Sequence, residues 1–220
     1  MLPFVLPFIL YLVFSLFAAQ FPDFYPLIYL CTVIVVGMAT ILLLSGRGII
    51  KVHRHIAPGI IVGVSGIVLW VFLCRLHLEQ YIFHLMPDWL APGKRVSFDP
   101  FKSIADPVWQ WAFITVRTLG LAVLIPVVEE VFWRGFLLRW VISPDWQEQE
   151  IGIFTWRSFL WVTLLFTLAH PEWLAAAVYG ALLNILLYWR RDLWNCIVAH
   201  GISNLFLVFY ILYSKSWGLW

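Results

Sequence analysis

The sequence predicts an all-α membrane protein, a polytopic bundle of seven, or at most eight, transmembrane helices. Of its 220 residues, 63% are hydrophobic and only 12% are charged, whereas about a quarter of the residues in soluble domains are charged. Apolar runs of about twenty residues, the length that crosses a bilayer, recur along the whole chain. Many of the 14 tryptophans lie near the ends of these runs, as in the aromatic belt of a membrane interface.

Seven apolar segments are candidates for spans. Their predicted ranges are 4–20, 25–45, 57–76, 108–142, 156–170, 173–189 and 193–213. The fourth is longer than the roughly 20 residues that one crossing needs. Because Pro126 removes a backbone hydrogen bond inside it, we expect a broken helix at this residue. If 108–125 and 127–142 cross separately, the bundle has an eighth span.

The whole chain, 1–220, is predicted to be a single membrane-embedded domain. Residues 1–107 supply N-terminal spans and an external loop at 77–107, and residues 108–213 carry the polar motifs. The basic residues of alternate connections are Arg47, Lys51, Arg54, Arg139, Arg157, Arg190 and Arg191. Because lysine and arginine favour cytoplasmic loops, seven spans put the N-terminus in the cytoplasm and the C-terminus outside.

Three short polar motifs lie inside the spans, although ionisable groups rarely persist in hydrocarbon without a partner or a task. The motifs are Glu129-Glu130 with Arg134, Phe166 with His170, and His200 with Asn204. At about 1.5 Å per residue, Glu129, His170 and His200 lie roughly 13–20 Å from the basic residues at the cytoplasmic ends of their spans. This common depth predicts that one cavity in the bilayer joins them.

The first motif predicts both a structural ion pair and a base. Arg134 follows Glu130 by four residues, so the two side chains can form a buried ion pair. Glu129 is rotated from that pair by about 100°. A carboxylate in a dry site suits a general base acting on water, and His170 can share that water.

The third motif predicts hydrogen-bond donors. His200 and Asn204 lie one turn apart on one helix face, where their N–H groups can hold the oxyanion of a tetrahedral intermediate. A base, a water molecule and oxyanion donors together predict the hydrolysis of an acyl bond, most simply a peptide bond.

The order and spacing of Glu-Glu-x-x-x-Arg (129–134), Phe-x-x-x-His (166–170) and His-x-x-x-Asn (200–204) resemble a known family. It is the CAAX-protease and bacteriocin-processing (CPBP) family of intramembrane proteases, which includes abortive-infection (Abi) proteins and the CAAX endopeptidase Rce1. The resemblance covers residues 115–210 and implies a glutamate-type endopeptidase without a cofactor or metal. The roles that it implies are water activation by Glu129 and His170, an oxyanion hole from His200 and Asn204, and structural support from Glu130 and Arg134.

The run His170-Pro171-Glu172-Trp173 and the chain length are similar to a narrower bacterial group, the CAAX-protease-related proteins of exosortase systems. This similarity implies a multi-pass protein of the bacterial inner membrane with a link to an exosortase sorting system. The implied partners are the lipid bilayer and a membrane-associated protein or peptide, with a lipid-modified C-terminus as one form of substrate. The sequence contains no cluster of lysine and arginine residues that would indicate binding to nucleic acid.

Three other functions remain open at this stage. Glu129, His170 and His200 form a His₂Glu set of the kind that zinc uses, which would make a zinc-dependent intramembrane hydrolase. HExxH is absent from the sequence and Asn204 is a poor zinc ligand, so we favour the metal-free mechanism. A non-catalytic membrane scaffold or immunity protein could keep the motifs for helix packing. A transporter is a third option because of Pro126, but no inverted repeat is visible.

Overall fold

The computed structural model describes residues 1–83 and 97–220. These residues form a helical bundle, and the described part of the chain contains no strand. The helices are α1 Leu2–Gln20, α2 Tyr25–Leu44, α3 Ala57–Arg75, α4 Leu78–Phe83, α5 Pro100–Ser103, α6 Pro107–Ile142, α7 Trp156–Leu168, α8 Trp173–Arg190 and α9 Leu193–Ser214. Residues 84–96, in the middle of the predicted external loop 77–107, lie outside the described residues.

The predicted spans agree closely with the long helices. The largest differences, two residues each, are at the start of α1 and at the end of α7. Six described helices are long and apolar enough to cross a membrane, while α7 has only 13 residues. This helix is short because Pro171 follows it closely, and the residue before a proline is disfavoured in helical conformation.

The helix is not broken at Pro126, which corrects the expectation from the sequence. Residues 107–142 form one continuous helix of 36 residues, so the alternative with an eighth span is not found. The hydrogen-bond pattern changes instead: π-helical sections at Gly120–Leu124 and Val131–Leu137 flank an α-helical section at Ile125–Glu130. A proline is tolerated near the start of an α-helical section, where its missing N–H is least needed. The adjacent glutamates therefore lie in mid-helix between two π-helical sections.

Helix α9 crosses α3 and α6 closely, because glycines stand at both crossings. A Cβ atom at Gly63 of α3 would lie 2.6 Å from the carbonyl oxygen of Ala199. A Cβ atom at Gly201 of α9 would lie 2.6 Å from the carbonyl oxygen of Ala122 in α6. Small residues at such crossings are typical of membrane helix packing. These two crossings fix the helix that carries the third polar motif between α3 and α6.

Candidate active site

Two neighbouring cavities share the same wall. A cavity of about 370 Å³ between α1, α2 and α6 is lined in part by Glu129 and His170. A smaller cavity of about 70 Å³ is lined by these two residues and also by His200 and Asn204. The structure thus brings the four predicted catalytic residues, from α6, α9 and the turn after α7, to one small space.

Glu130 is the centre of a buried network behind this space. Its Oε1 accepts hydrogen bonds from Arg134 Nη1 at 3.2 Å and from His200 Nδ1 at 2.8 Å. Arg134 also donates to Asn184 Oδ1 at 3.0 Å and to the Gly180 carbonyl at 3.1 Å. Glu130 and Arg134 are both 0% exposed. The predicted ion pair is therefore present, and the same carboxylate also holds His200, which spacing along the chain could not indicate.

The hydrogen bond from His200 determines how its ring can act. A carboxylate only accepts hydrogen bonds, so Nδ1 carries a proton and Nε2 is the nitrogen left for the smaller cavity. Nε2 can donate only when the ring carries both protons. His200 is 5% exposed, so its ring is held in a nearly closed environment.

His170 lies in the turn after α7 and is oriented by Phe166, near the end of that helix. Its Nδ1 lies 2.8 Å from the carbonyl oxygen of Phe166. Because a carbonyl only accepts, Nδ1 is the donor, and in the neutral ring the basic lone pair lies on Nε2. The ring packs on the Phe166 ring with centroids 4.4 Å apart, and the Arg134 guanidinium lies 4.8 Å from the centre of the same ring. Phe166 therefore connects the first motif to the second.

Asn204 is held by the change of helix type in α6. The N–H of Ile125 donates to the carbonyl of Gly120, five residues earlier. The next amide in this π-helical pattern would donate to Leu121, but Pro126 has no N–H. Asn204 Nδ2 donates to the Leu121 carbonyl instead, at 2.9 Å. An amide side chain has two N–H donors, so one remains for a bound substrate.

The corner after His170 is fixed from another part of the chain. Glu79 of α4 accepts a hydrogen bond from the backbone N–H of Leu174 at 2.5 Å, in the first turn of α8, where N–H groups lack partners within the helix. Burial raises the pKa of the Glu79 carboxyl above its ordinary value, and the Leu174 N–H acts against this rise. No local pattern indicated this contact, because the two residues are far apart in the chain.

Other residues of the site were also missed in the sequence. The hydroxyl of Tyr179 lies 2.6 Å from Ser203 Oγ, which donates to the carbonyl of His200 at 2.9 Å. A tyrosine inside an apolar span could have indicated such a contact, because a buried hydroxyl needs a partner. Arg117, which lines the larger cavity and is 5% exposed, carries the same signal as the glutamates, a charge inside a span.

Within the described ranges, no group of three or more His, Cys, Asp or Glu side chains is arranged to hold a metal ion. In the described structure, the set considered for zinc (Glu129, His170 and His200) therefore does not form such a group.

A comparison with known families finds a match in the part of the chain that carries the three motifs. Residues 109–206 match the family described as type II CAAX prenyl endopeptidase, Rce1-like. The match contains all four predicted catalytic residues. Comparisons with curated proteins and with solved structures give no match. With six helices able to span a bilayer, this match identifies residues 109–206 as a region similar to the Rce1-like CAAX prenyl endopeptidases, and it supports a multi-pass membrane protein that is a hydrolase.

Proposed function

We propose that the protein is a glutamate-type intramembrane endopeptidase that hydrolyses a peptide bond of a membrane-associated substrate. One observation supports this proposal above all: Glu129, His170, His200 and Asn204 line a single cavity of about 70 Å³. Side chains with the roles of base and oxyanion donor thus lie together at membrane depth, where a polar group without a function is costly.

In the proposed reaction, Glu129 is the general base. Its carboxylate takes a proton from a water molecule. His170 Nε2 orients this water by accepting a hydrogen bond from its second O–H group. The water oxygen then forms a bond to the carbonyl carbon of the scissile peptide, and the carbonyl oxygen becomes an oxyanion. The proton held by Glu129 passes to the leaving nitrogen when the carbon–nitrogen bond breaks.

The oxyanion is stabilised from α9. The second amide N–H of Asn204 donates to the developing charge, and Nε2 of His200 also donates when its ring carries both protons. The Glu130 carboxylate holds the other side of this ring through Nδ1. The hydrogen bond from Asn204 to the Leu121 carbonyl keeps the amide in place before the substrate arrives. Such preorganised donors are often the largest single contribution to catalysis.

The substrate reaches this site from the membrane. The larger cavity is bordered mainly by apolar and aromatic side chains of α1, α2 and α6, which suits a peptide with an apolar or lipid-modified C-terminus. We also propose, from the similarity at His170–Trp173, a bacterial inner-membrane location and a link to an exosortase system. Separation of inner and outer membranes tests the location, and copurification of an exosortase component tests the link.

Comparative terminal-peptide proteomics tests the proposed activity. Membranes carrying the wild type, Glu129→Gln or the control Glu148→Gln, which changes an exposed loop residue, are compared for new peptide termini. We expect termini that appear with the wild type and the control and that fall by about 10²–10⁴-fold with Glu129→Gln, the usual contribution of a general base. If no terminus depends on Glu129 although all three proteins are folded, or if Glu129→Gln keeps full cellular function, the scaffold alternative replaces the protease.

The metal-free mechanism is tested on the same cleavage. We expect the purified wild type to keep its activity after treatment with a strong chelator. Activity that chelation abolishes and that zinc restores would show that Glu129, His170 and His200 form a zinc site, and it would contradict the mechanism above.

A further inference from the structure

Arg117 is a buried charge that the proposed chemistry does not use. It is 5% exposed in the wall of the larger cavity. Among the described residues, none forms a salt bridge with it, and its buried Nε has no hydrogen-bond partner. A guanidinium is permanently charged and carries five N–H donors. A cation with so few partners inside a membrane domain indicates a site for an anion.

Aromatic rings hold this guanidinium without satisfying its donors. Its central carbon lies 4.6 Å from the ring centre of Tyr29, 5.0 Å from that of Trp220 and 5.1 Å from that of Tyr25. The Tyr29 hydroxyl donates to the backbone carbonyl of Arg117 and not to the side chain. Cation–π contacts stabilise the charge, but ring faces accept only weak hydrogen bonds. The N–H groups therefore remain for an acceptor, and two parallel N–H groups fit a carboxylate best.

The cavity connects this cation to the proposed catalytic base. Glu129 and His170 line the same space of about 370 Å³ as Arg117. Twelve helical residues at about 1.5 Å each separate Arg117 from Glu129 by at most about 18 Å along α6. An extended peptide covers this distance in about five residues. One bound peptide can therefore contact both groups.

We propose that Arg117 is a specificity-determining residue that binds the C-terminal carboxylate of the peptide substrate. This inference rests on the proposed endopeptidase activity. Of the described residues that line the cavity, Arg117 is the one arginine or lysine, while Glu129 repels an anion at the other end. The two charges thus set the direction in which the peptide lies.

Paired synthetic peptides test this assignment. Each carries an S-farnesylated cysteine and up to about five residues after it, and the two forms differ only in a free C-terminal acid or a carboxamide. Binding in phosphatidylcholine nanodiscs is measured with Glu129→Gln protein, so that cleavage plays no part, and cleavage is measured with Glu129 intact. We expect the acid to bind at least about tenfold more tightly than the amide, a difference of about 1.4 kcal/mol.

Variants of Arg117 separate charge recognition from a structural role. Arg117→Gln is expected to remove the preference for the acid, mainly through a higher KM for the acid, with little effect on the amide. Arg117→Lys should keep part of the preference, because it keeps the charge but not the paired N–H groups. The control Arg157→Gln, an exposed residue at the start of α7, should behave as the wild type. Thermal unfolding of each variant establishes that it is folded.

The outcomes distinguish this inference from the proposed function. Cleavage that depends on Glu129 but is equal for acid and amide leaves the protease intact and overturns the carboxylate site. Preference for the acid in binding, without any cleavage, supports the site and counts against the protease. If the wild type shows no acid preference, or if phosphatidylglycerol binds in an Arg117-dependent way while both peptides bind equally, Arg117 serves a lipid phosphate or packing, and the proposal fails. Extending the C-terminus by about ten residues should abolish the preference, because the carboxylate then lies beyond reach.

Discussion

At the scale of single residues, Glu129 and Glu130 show how neighbours in the sequence acquire different tasks. Glu130 accepts from both Arg134 and His200 and is 0% exposed, so its charge is needed to compensate a buried cation. Glu129 borders both cavities, where it can meet water and a substrate. One residue of helix rotation, about 100°, separates the structural carboxylate from the proposed catalytic one.

Substituting each glutamate by glutamine should separate these tasks. Glu130→Gln leaves Arg134 as an uncompensated buried charge, and we expect a loss of about 3–5 kcal/mol in the free energy of unfolding together with loss of cleavage. Glu129→Gln should lose cleavage while its thermal unfolding stays near that of the wild type. Unfolding in detergent and cleavage of one substrate are the measurements. An equal loss of stability in both variants would contradict the division of roles.

At the scale of elements, the π-helical section of α6 explains the position of Asn204. Pro126 cannot donate to the Leu121 carbonyl, and that carbonyl accepts from Asn204 instead. A proline that would be expected to break the helix thus creates an acceptor for a neighbouring helix. π-Helical turns within α-helices are frequent at functional sites, because they re-aim groups in this way.

A double-mutant cycle tests this account of Pro126. Pro126→Ala supplies an N–H group that competes with Asn204 for the Leu121 carbonyl, so we expect cleavage to fall by up to about 100-fold without loss of stability, through a misplaced amide. The effect of Pro126→Ala should be much smaller when Asn204→Ala is already present, because residues that share a partner are not additive. Pro58→Ala, in the first turn of α3, is the matched control and should have no effect. Additive losses would mean that Pro126 and Asn204 act independently.

At the scale of the whole molecule, the orientation predicted from the basic loops requires seven crossings. Six described helices are long enough to span, and α7 is shorter because the corner at Pro171 ends it early. Arg190 and Arg191 lie at the connection between α8 and α9. An N-terminus in the cytoplasm follows if basic loops face that side.

Reporter fusions test this orientation. Alkaline phosphatase joined after α9 should be active, because the C-terminus is expected outside the cytoplasm. A fluorescent protein that folds only in the cytoplasm should be bright when inserted between α2 and α3, beside Lys51. Fluorescence from a C-terminal fusion, with no phosphatase activity, would reverse the topology or require a different number of crossings.

The sequence by itself determined the class of fold, the spans to within two residues, and the pairing of Glu130 with Arg134. Hydrophobic length and i, i+4 spacing are local properties, so they can be read along the chain. The motifs also indicated the family and the four proposed catalytic residues, because a polar group inside a span is rare.

Only the tertiary structure decided which groups meet across helices. It placed His200 against Glu130, gave the Leu121 carbonyl to Asn204, and opened one cavity onto both Glu129 and Arg117. It also showed that α6 continues through its proline by changing its hydrogen-bond pattern. Such contacts depend on the close crossings that glycines permit between helices and on the wider turns of α6, and no local pattern in the sequence contains that distance information.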